Sequence, residues 1–199
     1  MDTALWVVKL GGSLQRAAEL PQWLRLIERV ATGNVVVVPG GGAFADAVRD
    51  AQQTWHFDDT HAHRMAILAM QQMAWLLRGL APTYAIVESC AKIREALKRG
   101  RAVLWAPDAD ELDAAGIPAS WEITSDSLAA WLAGVLSAHC LVLIKSASCG
   151  AASGPQRLAA RGIVDAALPR YCAESNAALA VFHRAELQAF ERFFTSCHD

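Results

Sequence analysis

The sequence predicts an α/β protein in which helices cover both faces of a mostly parallel sheet, a three-layer αβα sandwich. Apolar segments of strand length alternate with longer segments of helical periodicity along the 199 residues, and this alternation is typical of βαβ units. The strand-like segments are continuously apolar, as in Val35–Val38, which is expected for parallel strands buried on both faces. No linker-like tract interrupts the pattern, so we expect one domain over residues 1–199.

Glycine and proline divide the first half of the chain into predicted elements. Gly11 and Gly12 end the first strand, Gly33 ends the helix that follows, and Pro39 ends the second strand. The predicted elements are a strand at Leu5–Lys9, a helix at Pro21–Thr32, a strand at Val35–Val38, a helix at Ala43–Gln53, a long helix at His61–Leu80 and a strand at Tyr84–Val87.

Capping residues mark the helices of the second half. Ser89, Asp108 and Thr124 stand where helical periodicity begins, and side chains of this kind satisfy the first amides of a helix. The predicted elements are a helix at Ala91–Arg99, a strand at Ala102–Trp105, a helix at Asp108–Ala115, a helix at Asp126–Ala138, a strand at Cys140–Lys145, a loop at Ala147–Pro155, a strand at Ala178–Phe182 and a helix at Glu186–Phe194.

Charge and composition exclude several kinds of partner and site. The net charge of −2 and the isoelectric point of about 6.3 provide no basic surface for nucleic acid. No apolar run approaches the ~18 residues of a membrane helix, and the N-terminus does not have the charge order of a signal peptide. The five cysteines form no CxxC pair, so neither a disulfide framework nor a metal site is expected. We therefore expect a cytoplasmic protein.

Two glycine-rich turns follow the first two predicted strands. Gly11-Gly12 and Gly40-Gly41-Gly42 each stand between a strand and a helix, where backbone amides approach an anion closely and the helix adds its positive end. One Gly-Gly pair alone is typical of an ordinary tight turn. Two such turns in succession favour phosphate binding.

Two of the four lysines have unusual positions, because Lys9 and Lys145 each end an apolar strand. A buried charge is costly unless it is paired, and an ammonium group suits phosphate. The alternative is a structural ion pair. Asp126, at the start of a predicted helix, has two interpretations that stay open. It is either an ordinary first-turn acid or the carboxylate that holds both lysines, in which case it lies within hydrogen-bond reach of Lys9.

The segment before the long helix concentrates charge and imidazole, with Asp58 and His61 as candidates for contact with a substrate. The alternative is helix capping by Asp59 or Thr60. A relaxed dinucleotide fingerprint, GxGxxA, begins at Gly40. The acid that should end the following strand in such a motif instead precedes a helix, so dinucleotide binding is a weaker alternative.

Four segments, in this order, resemble motifs of the amino acid kinase family, which includes aspartate, acetylglutamate and uridylate kinases. They are Val7–Leu14, Val38–Ala45, Ile123–Ala130 and Leu141–Lys145. His61–Met70 and Gly162–Asp165 also resemble the short kinases of methanofuran synthesis, which phosphorylate an (aminomethyl)furanmethyl phosphate.

The resemblance implies ATP with Mg²⁺ as donor, direct phosphoryl transfer to a small phosphate or carboxylate acceptor, and a homo-oligomer. It implies that Lys9 stabilises the transferring group and that Asp126 orients Lys9 and Lys145, these three residues being catalytic. The residues expected at the donor are Lys9, Gly11, Gly12, Ser13, Lys145 and Ser146, and those expected at the acceptor are Gly40, Gly41, Gly42, Asp58 and His61.

Two departures from the family pattern leave a second function open. No acidic turn follows Lys145, where the chain reads Ser146-Ala147-Ser148, and no lysine occurs later in the sequence. A kinase fold that binds a nucleotide or a partner without turnover is therefore the alternative to an active kinase.

Overall fold

The computed structural model describes residues 4–31, 33–148 and 154–196. Its strands are β1 (Trp6–Leu10), β2 (Val35–Pro39), β3 (Ala85–Val87), β4 (Val103–Trp105), β5 (Cys140–Lys145) and β6 (Ala178–His183). They form one sheet in the order β3-β4-β2-β1-β5-β6, and each neighbouring pair is parallel.

Helices connect the strands and cover the sheet. They are α1 (Leu20–Ala31), α2 (Gly42–Trp55), α3 (Asp59–Leu80), α4 (Cys90–Lys98), α5 (Ala109–Ala114), α6 (Ser125–Leu136), α7 (Pro155–Ala160), α8 (Leu168–Ser175) and α9 (Leu187–Ser196), together with a 3-10 turn at Gly12–Arg16. No helix in the described ranges is long and apolar enough to cross a membrane.

Two hydrophobic cores lie on opposite faces of the sheet, because successive strand residues point to opposite sides. Trp6 and Val8 of β1 belong to the core that contains residues of α1 and α9. Val7 belongs to the other core, which contains residues of α4, α6, α7 and α8. The αβα sandwich predicted from the sequence is therefore confirmed.

The predicted strands and helices are all present, with bounds shifted by a few residues. The structure adds three short helical segments that the sequence did not predict, namely the 3-10 turn, α7 and α8. Each has too few apolar positions for a clear period and is held by buried contacts such as those of Leu14, Leu158 and Leu168. Thr32, Cys149, Cys197 and positions 149–153 of the predicted loop lie outside the described residues.

The two glycine turns pack against each other, backbone to backbone. A Cβ atom added to Gly12 would lie 2.5 Å from the amide nitrogen of Gly42, and one added to Gly40 would lie 2.4 Å from that of Gly12. Neither contact leaves room for a side chain. The close approach of β1 and β2 at their carboxyl ends therefore requires glycine on both turns.

Gly40→Ala should destabilise the fold through this steric conflict, since backbone atoms cannot move aside as a flexible side chain does. We expect the free energy of unfolding to fall by about 1–3 kcal/mol, as in other overpacked sites, measured by urea denaturation. Gly79→Ala is the matched control, because its added Cβ meets no atom within 4 Å. A Gly40→Ala protein as stable as the Gly79→Ala protein would contradict this packing.

Candidate active site

The candidate site lies at the carboxyl ends of β1 and β5, which are neighbours in the middle of the sheet. From these two strands the chain crosses in opposite directions, to β2 on one side and β6 on the other. Crevices at such switch points are where open α/β sheets bind ligands. The fold therefore places a binding crevice where β1 and β5 end, beside Lys9 and Lys145.

Strand alternation directs both lysines to the same face of the sheet. Lys9 lies two residues after Val7, and Lys145 lies two residues after Leu143, and both of these apolar residues belong to the core shared with α6. Helix α6 leads into the start of β5, so its first turn lies near the carboxyl ends of the strands. Asp126 on that turn consequently meets both lysines.

One carboxylate bridges the two ammonium groups. Lys9 Nζ is 2.7 Å from Asp126 Oδ1, and Lys145 Nζ donates a hydrogen bond of 2.6 Å to Asp126 Oδ2. The exposed fraction is 3% for Lys9 and 2% for Asp126. The expected juxtaposition of Asp126 with Lys9 and Lys145 is thus confirmed, and each carboxylate oxygen faces a lysine rather than a helix amide.

The ion triad Lys9–Asp126–Lys145 carries an excess positive charge. Burial lowers the pKa of Lys9 below its ordinary value against the opposing effect of Asp126, and Lys145 lowers it further. Burial alone would raise the pKa of Asp126, but the two lysines together hold that pKa below its ordinary value. With both lysines protonated, two cations and one anion leave one positive charge, and Lys145, whose side chain is 15% exposed, presents it to the crevice.

The backbone amides of the glycine turns divide into two groups. Gly11 donates to Ile144 O at 2.9 Å, and Gly40 donates to Leu10 O at 2.8 Å. The Gly11 amide therefore holds β1 to β5 and is not free to donate to a phosphate. In contrast, four neighbouring amides donate no hydrogen bond within the described residues. They are those of Gly12 and Ser13, at the start of the 3-10 turn, and those of Gly41 and Gly42, at the start of α2.

These amides are free because the first amides of a helical segment have no partner within that segment. Free amides beside a positive charge form a suitable site for an anion. Gln15 supports this arrangement by accepting a hydrogen bond of 2.8 Å from the amide of Ala43 through Oε1. It thereby links the 3-10 turn to the start of α2. Gly42 adopts a φ of +57° at this point, which glycine permits readily.

Ser13 and Ser146 meet at the outer edge of the crevice. Ser13 Oγ donates to Ser146 Oγ at 2.9 Å, which joins the first glycine turn to the end of β5. The carbonyl of Ser146 lies 3.1 Å from His183 Nε2. The structure therefore groups the residues expected at the donor, with the exception of the Gly11 amide.

A cavity of about 540 Å³ extends from the ion triad between α2, α3 and the segment before α6. Its lining includes Lys9, Lys145, Gly12 and the three glycines 40–42. The volume is within the range of small-molecule sites. The lining also includes Asp46, Arg49, Asp59, His63 and Trp121, none of which was among the site residues predicted from the sequence.

Asp58 and His61, expected at the acceptor, do not line this cavity. Asp58 caps α3 by accepting a hydrogen bond from the amide of His61, and it also contacts the His61 ring at 2.7 Å. The hydrogen bond from the His61 amide lowers the pKa of the Asp58 carboxyl. Helical periodicity explains this difference, because Asp59 and His63 are four residues apart and share the cavity face, whereas His61 points elsewhere.

Hydrogen bonds connect Trp121, Gln52 and Asp59 at another wall of the cavity. Trp121 Nε1 donates to Gln52 Oε1 at 2.7 Å, and Gln52 Nε2 donates to Asp59 Oδ1 at 2.8 Å. The guanidinium of Arg49 stacks at 4.2 Å from the centre of a Trp121 ring. Arg49 and Gln52 lie two to three turns along α2 from Gly42, so these contacts place an aromatic surface and a carboxylate roughly 10–15 Å from the second glycine turn.

Comparisons with known proteins agree with this fold. The model of the amino acid kinase family matches residues 4–148. The [5-(aminomethyl)furan-3-yl]methyl phosphate kinase of Methanocaldococcus jannaschii is 25% identical over 140 residues, which span 69% of this chain and 63% of that relative's length.

Two solved structures have the same fold. The uridylate kinase of Archaeoglobus fulgidus superimposes with a TM-score of 0.75 at 21% identity, over 96% of this chain and 95% of that one. The UMP kinase of Bacillus anthracis has a TM-score of 0.71 at 16% identity, over 98% and 92% of the two chains.

Asp126→Asn should destabilise the protein, because two buried ammonium groups would lose their counter-ion. We expect a loss of about 3–5 kcal/mol at pH 7, as for other broken buried pairs, measured by urea denaturation. The loss should shrink near pH 9.5. Without the carboxylate, Lys9 releases its proton at lower pH in the folded state than in the unfolded chain, so raising the pH stabilises the folded variant.

The control is Asp46→Asn, which removes an exposed carboxylate 3.1 Å from Arg49. Such a surface pair contributes at most about 1 kcal/mol. A loss for Asp126→Asn that is as small as the control, or that does not change between the two pH values, would contradict the buried triad.

Proposed function

This chain belongs to the amino acid kinase family, and we propose that it is an ATP-dependent kinase acting on the phosphate group of a small acceptor. An acceptor oxygen attacks the γ-phosphorus of ATP, a new P–O bond forms, the bond to the β-phosphate oxygen breaks, and ADP leaves. Such transfer depends on positioning and on positive charge rather than on a protein nucleophile.

The ion triad is the observation that carries this proposal. Its net positive charge lies beside two turns whose free amides suit two separate anionic groups. A transferring phosphoryl group between donor and acceptor would thus meet charge that is already fixed in place. Preorganised charge of this kind is the largest contribution to catalysis in many enzymes.

We assign the donor to the side of the first turn and the acceptor to the side of the second. Ser13, Lys145 and Ser146 lie on the side of β5, Gly12 lies between the two turns, and these four residues would hold ATP phosphates. Among the described residues no group of three or more His, Cys, Asp or Glu could hold a metal ion, and Mg²⁺ carried by ATP phosphates and water does not require one. Bound Mg²⁺ would neutralise charge on the donor phosphates.

The cavity also supports an acceptor class. Lys9 and the second glycine turn form a positive end. At the other end the carboxylates of Asp46 and Asp59 outnumber the guanidinium of Arg49, which covers one face of Trp121. An acceptor with a phosphate, a flat ring and an ammonium group matches this order of surfaces. The relative from Methanocaldococcus jannaschii is named for such a molecule, so we propose [5-(aminomethyl)furan-3-yl]methyl phosphate, a precursor in methanofuran biosynthesis, as the acceptor.

The direct test is ³¹P NMR of the protein with Mg-ATP and this acceptor. We expect the acceptor monophosphate signal to be replaced by the two coupled signals of a diphosphate as ADP accumulates. UMP and a carboxylate such as aspartate are the comparison acceptors, and faster turnover of either would overturn the acceptor assignment. ATP binding without phosphoryl transfer to any of them would instead favour the non-catalytic nucleotide-binding alternative.

Lys9→Met should lower kcat at least ~100-fold, because one preorganised charge on the transferring group contributes about 3 kcal/mol. The fold should survive, since Asp126 keeps its hydrogen bond to Lys145. Steady-state kinetics coupled to ADP release measures the effect. Lys92→Met is the control, because Lys92 lies in a surface pair with Glu88, and near wild-type kcat in Lys9→Met would remove Lys9 from the reaction.

Asp59→Asn should raise KM for the amine-bearing acceptor about tenfold, because it removes the charge opposite the ammonium group while keeping the oxygen that Gln52 contacts. KM for the analogue with methyl in place of aminomethyl should not change. Asp58→Asn is the matched control, since asparagine caps a helix as well as aspartate. Equal KM changes for both acceptors would exclude Asp59 as the ammonium contact.

A further inference from the structure

One carboxylate between α7 and α8 joins the first turn of α6 to a distant part of the chain. Asp165 Oδ2 accepts hydrogen bonds from the amide of Thr124 at 2.8 Å, from Thr124 Oγ1 at 2.8 Å and from the amide of Ser127 at 3.1 Å. Asp165 Oδ1 accepts from Ser127 Oγ and, at 2.9 Å, from the amide of Leu168. Five donors from two helix starts thus converge on one side chain.

These contacts replace a local cap on α6. Thr124 occupies the N-cap position, but its side chain makes no capping hydrogen bond to the helix. Its hydroxyl group instead donates to Asp165, which lies 41 residues later in the sequence. Because the first amides of a helix need an acceptor from outside it, the position of the first turn of α6 depends on Asp165.

The triad carboxylate lies inside the turn that Asp165 holds. Asp126 is flanked by Thr124 and Ser127, and both of these residues donate two hydrogen bonds to Asp165. A shift of about 1 Å in this turn would separate Asp126 from one of its lysines, since the two contacts are 2.7 and 2.6 Å long. Displacements of this size are known to lower rates about 10²-fold.

We propose that Asp165 is a positioning residue, which holds the first turn of α6 so that Asp126 bridges Lys9 and Lys145. Asp165 touches neither donor nor acceptor in this assignment and acts through Asp126. The kinetic part of the proposal rests on the proposed kinase function, whereas the anchoring of α6 does not.

Asp165→Asn tests the proposal, because asparagine keeps the size of the side chain but replaces one acceptor oxygen by a donor. We expect kcat to fall at least tenfold, with KM for ATP and for the acceptor within about threefold of wild type. The control is Asp108→Asn, since Asp108 caps α5 by accepting from the amide of Asp110 at 2.9 Å. The control should keep kcat within twofold.

A double-mutant cycle separates positioning from a general loss of structure. If Asp165 acts through Asp126, adding Asp165→Asn to Asp126→Asn should lower kcat less than twofold further, because the two effects share one route. A tenfold further loss in that background would overturn the proposal. If Asp165→Asn does not fold, Ser127→Ala removes one donor only and should lower kcat at least threefold, again with the effect lost in Asp126→Asn.

Hydrogen exchange followed by mass spectrometry gives a measurement that needs no turnover. Peptides covering the first turn of α6 should exchange their amide hydrogens at least tenfold faster in Asp165→Asn than in the wild type. Their exchange rate should not change in Asp108→Asn, and peptides from α1 should keep their protection in both variants. Unchanged exchange in the first turn of α6 would overturn the anchoring. If the wild-type protein transfers no phosphoryl group, the proposed function is contradicted. Hydrogen exchange would still test whether Asp165 anchors the first turn of α6.

Discussion

The contact of one buried carboxylate with two lysines governs the arrangement of the site. Lys9 and Asp126 are nearly inaccessible to water and Lys145 is only partly exposed, and buried charges persist only where geometry pairs them. Asp126 forms ion pairs with Lys9 and Lys145 through separate oxygens, which fixes the start of α6 against the middle of the sheet. The triad therefore determines both the local structure and the excess positive charge that an anion would meet.

The glycine turns add backbone amides to this charged site, because residues without side chains allow the two turns to approach closely. Because Gly12 and Gly40 approach within distances that exclude a Cβ atom, the amides at the starts of the 3-10 turn and α2 lie close together. The amides of Gly11 and Gly40 hold the strands, and the neighbouring amides remain free for a ligand. Sheet cohesion and the proposed anion binding thus use different amides of the same short segments.

Features that depend on local pattern could be predicted from the sequence. Apolar runs that end in lysine predicted that Lys9 and Lys145 lie at the carboxyl ends of their strands. The sequence around Asp126 is the same whether the residue is an ordinary first-turn acid or a buried counter-ion. Only the fold, which places β1 beside β5, distinguishes the two interpretations. The choice between His61 and His63 depends on the phase of α3 relative to the sheet. The part played by Asp165 depends on a contact across 38 to 41 residues, which no short motif contains.

The central claim is that Lys9 remains a charged ammonium held by Asp126 inside the protein. Lysine-selective ¹⁵N NMR at neutral pH measures this directly, and the chain has only four lysines to assign. We predict slowly exchanging NH₃⁺ signals for Lys9 and Lys145, which shift when Asp126 is replaced by asparagine, while the signals of the exposed Lys92 and Lys98 exchange rapidly. A neutral NH₂ signal for Lys9, or signals of Lys9 and Lys145 unaffected by Asp126→Asn, would contradict the account.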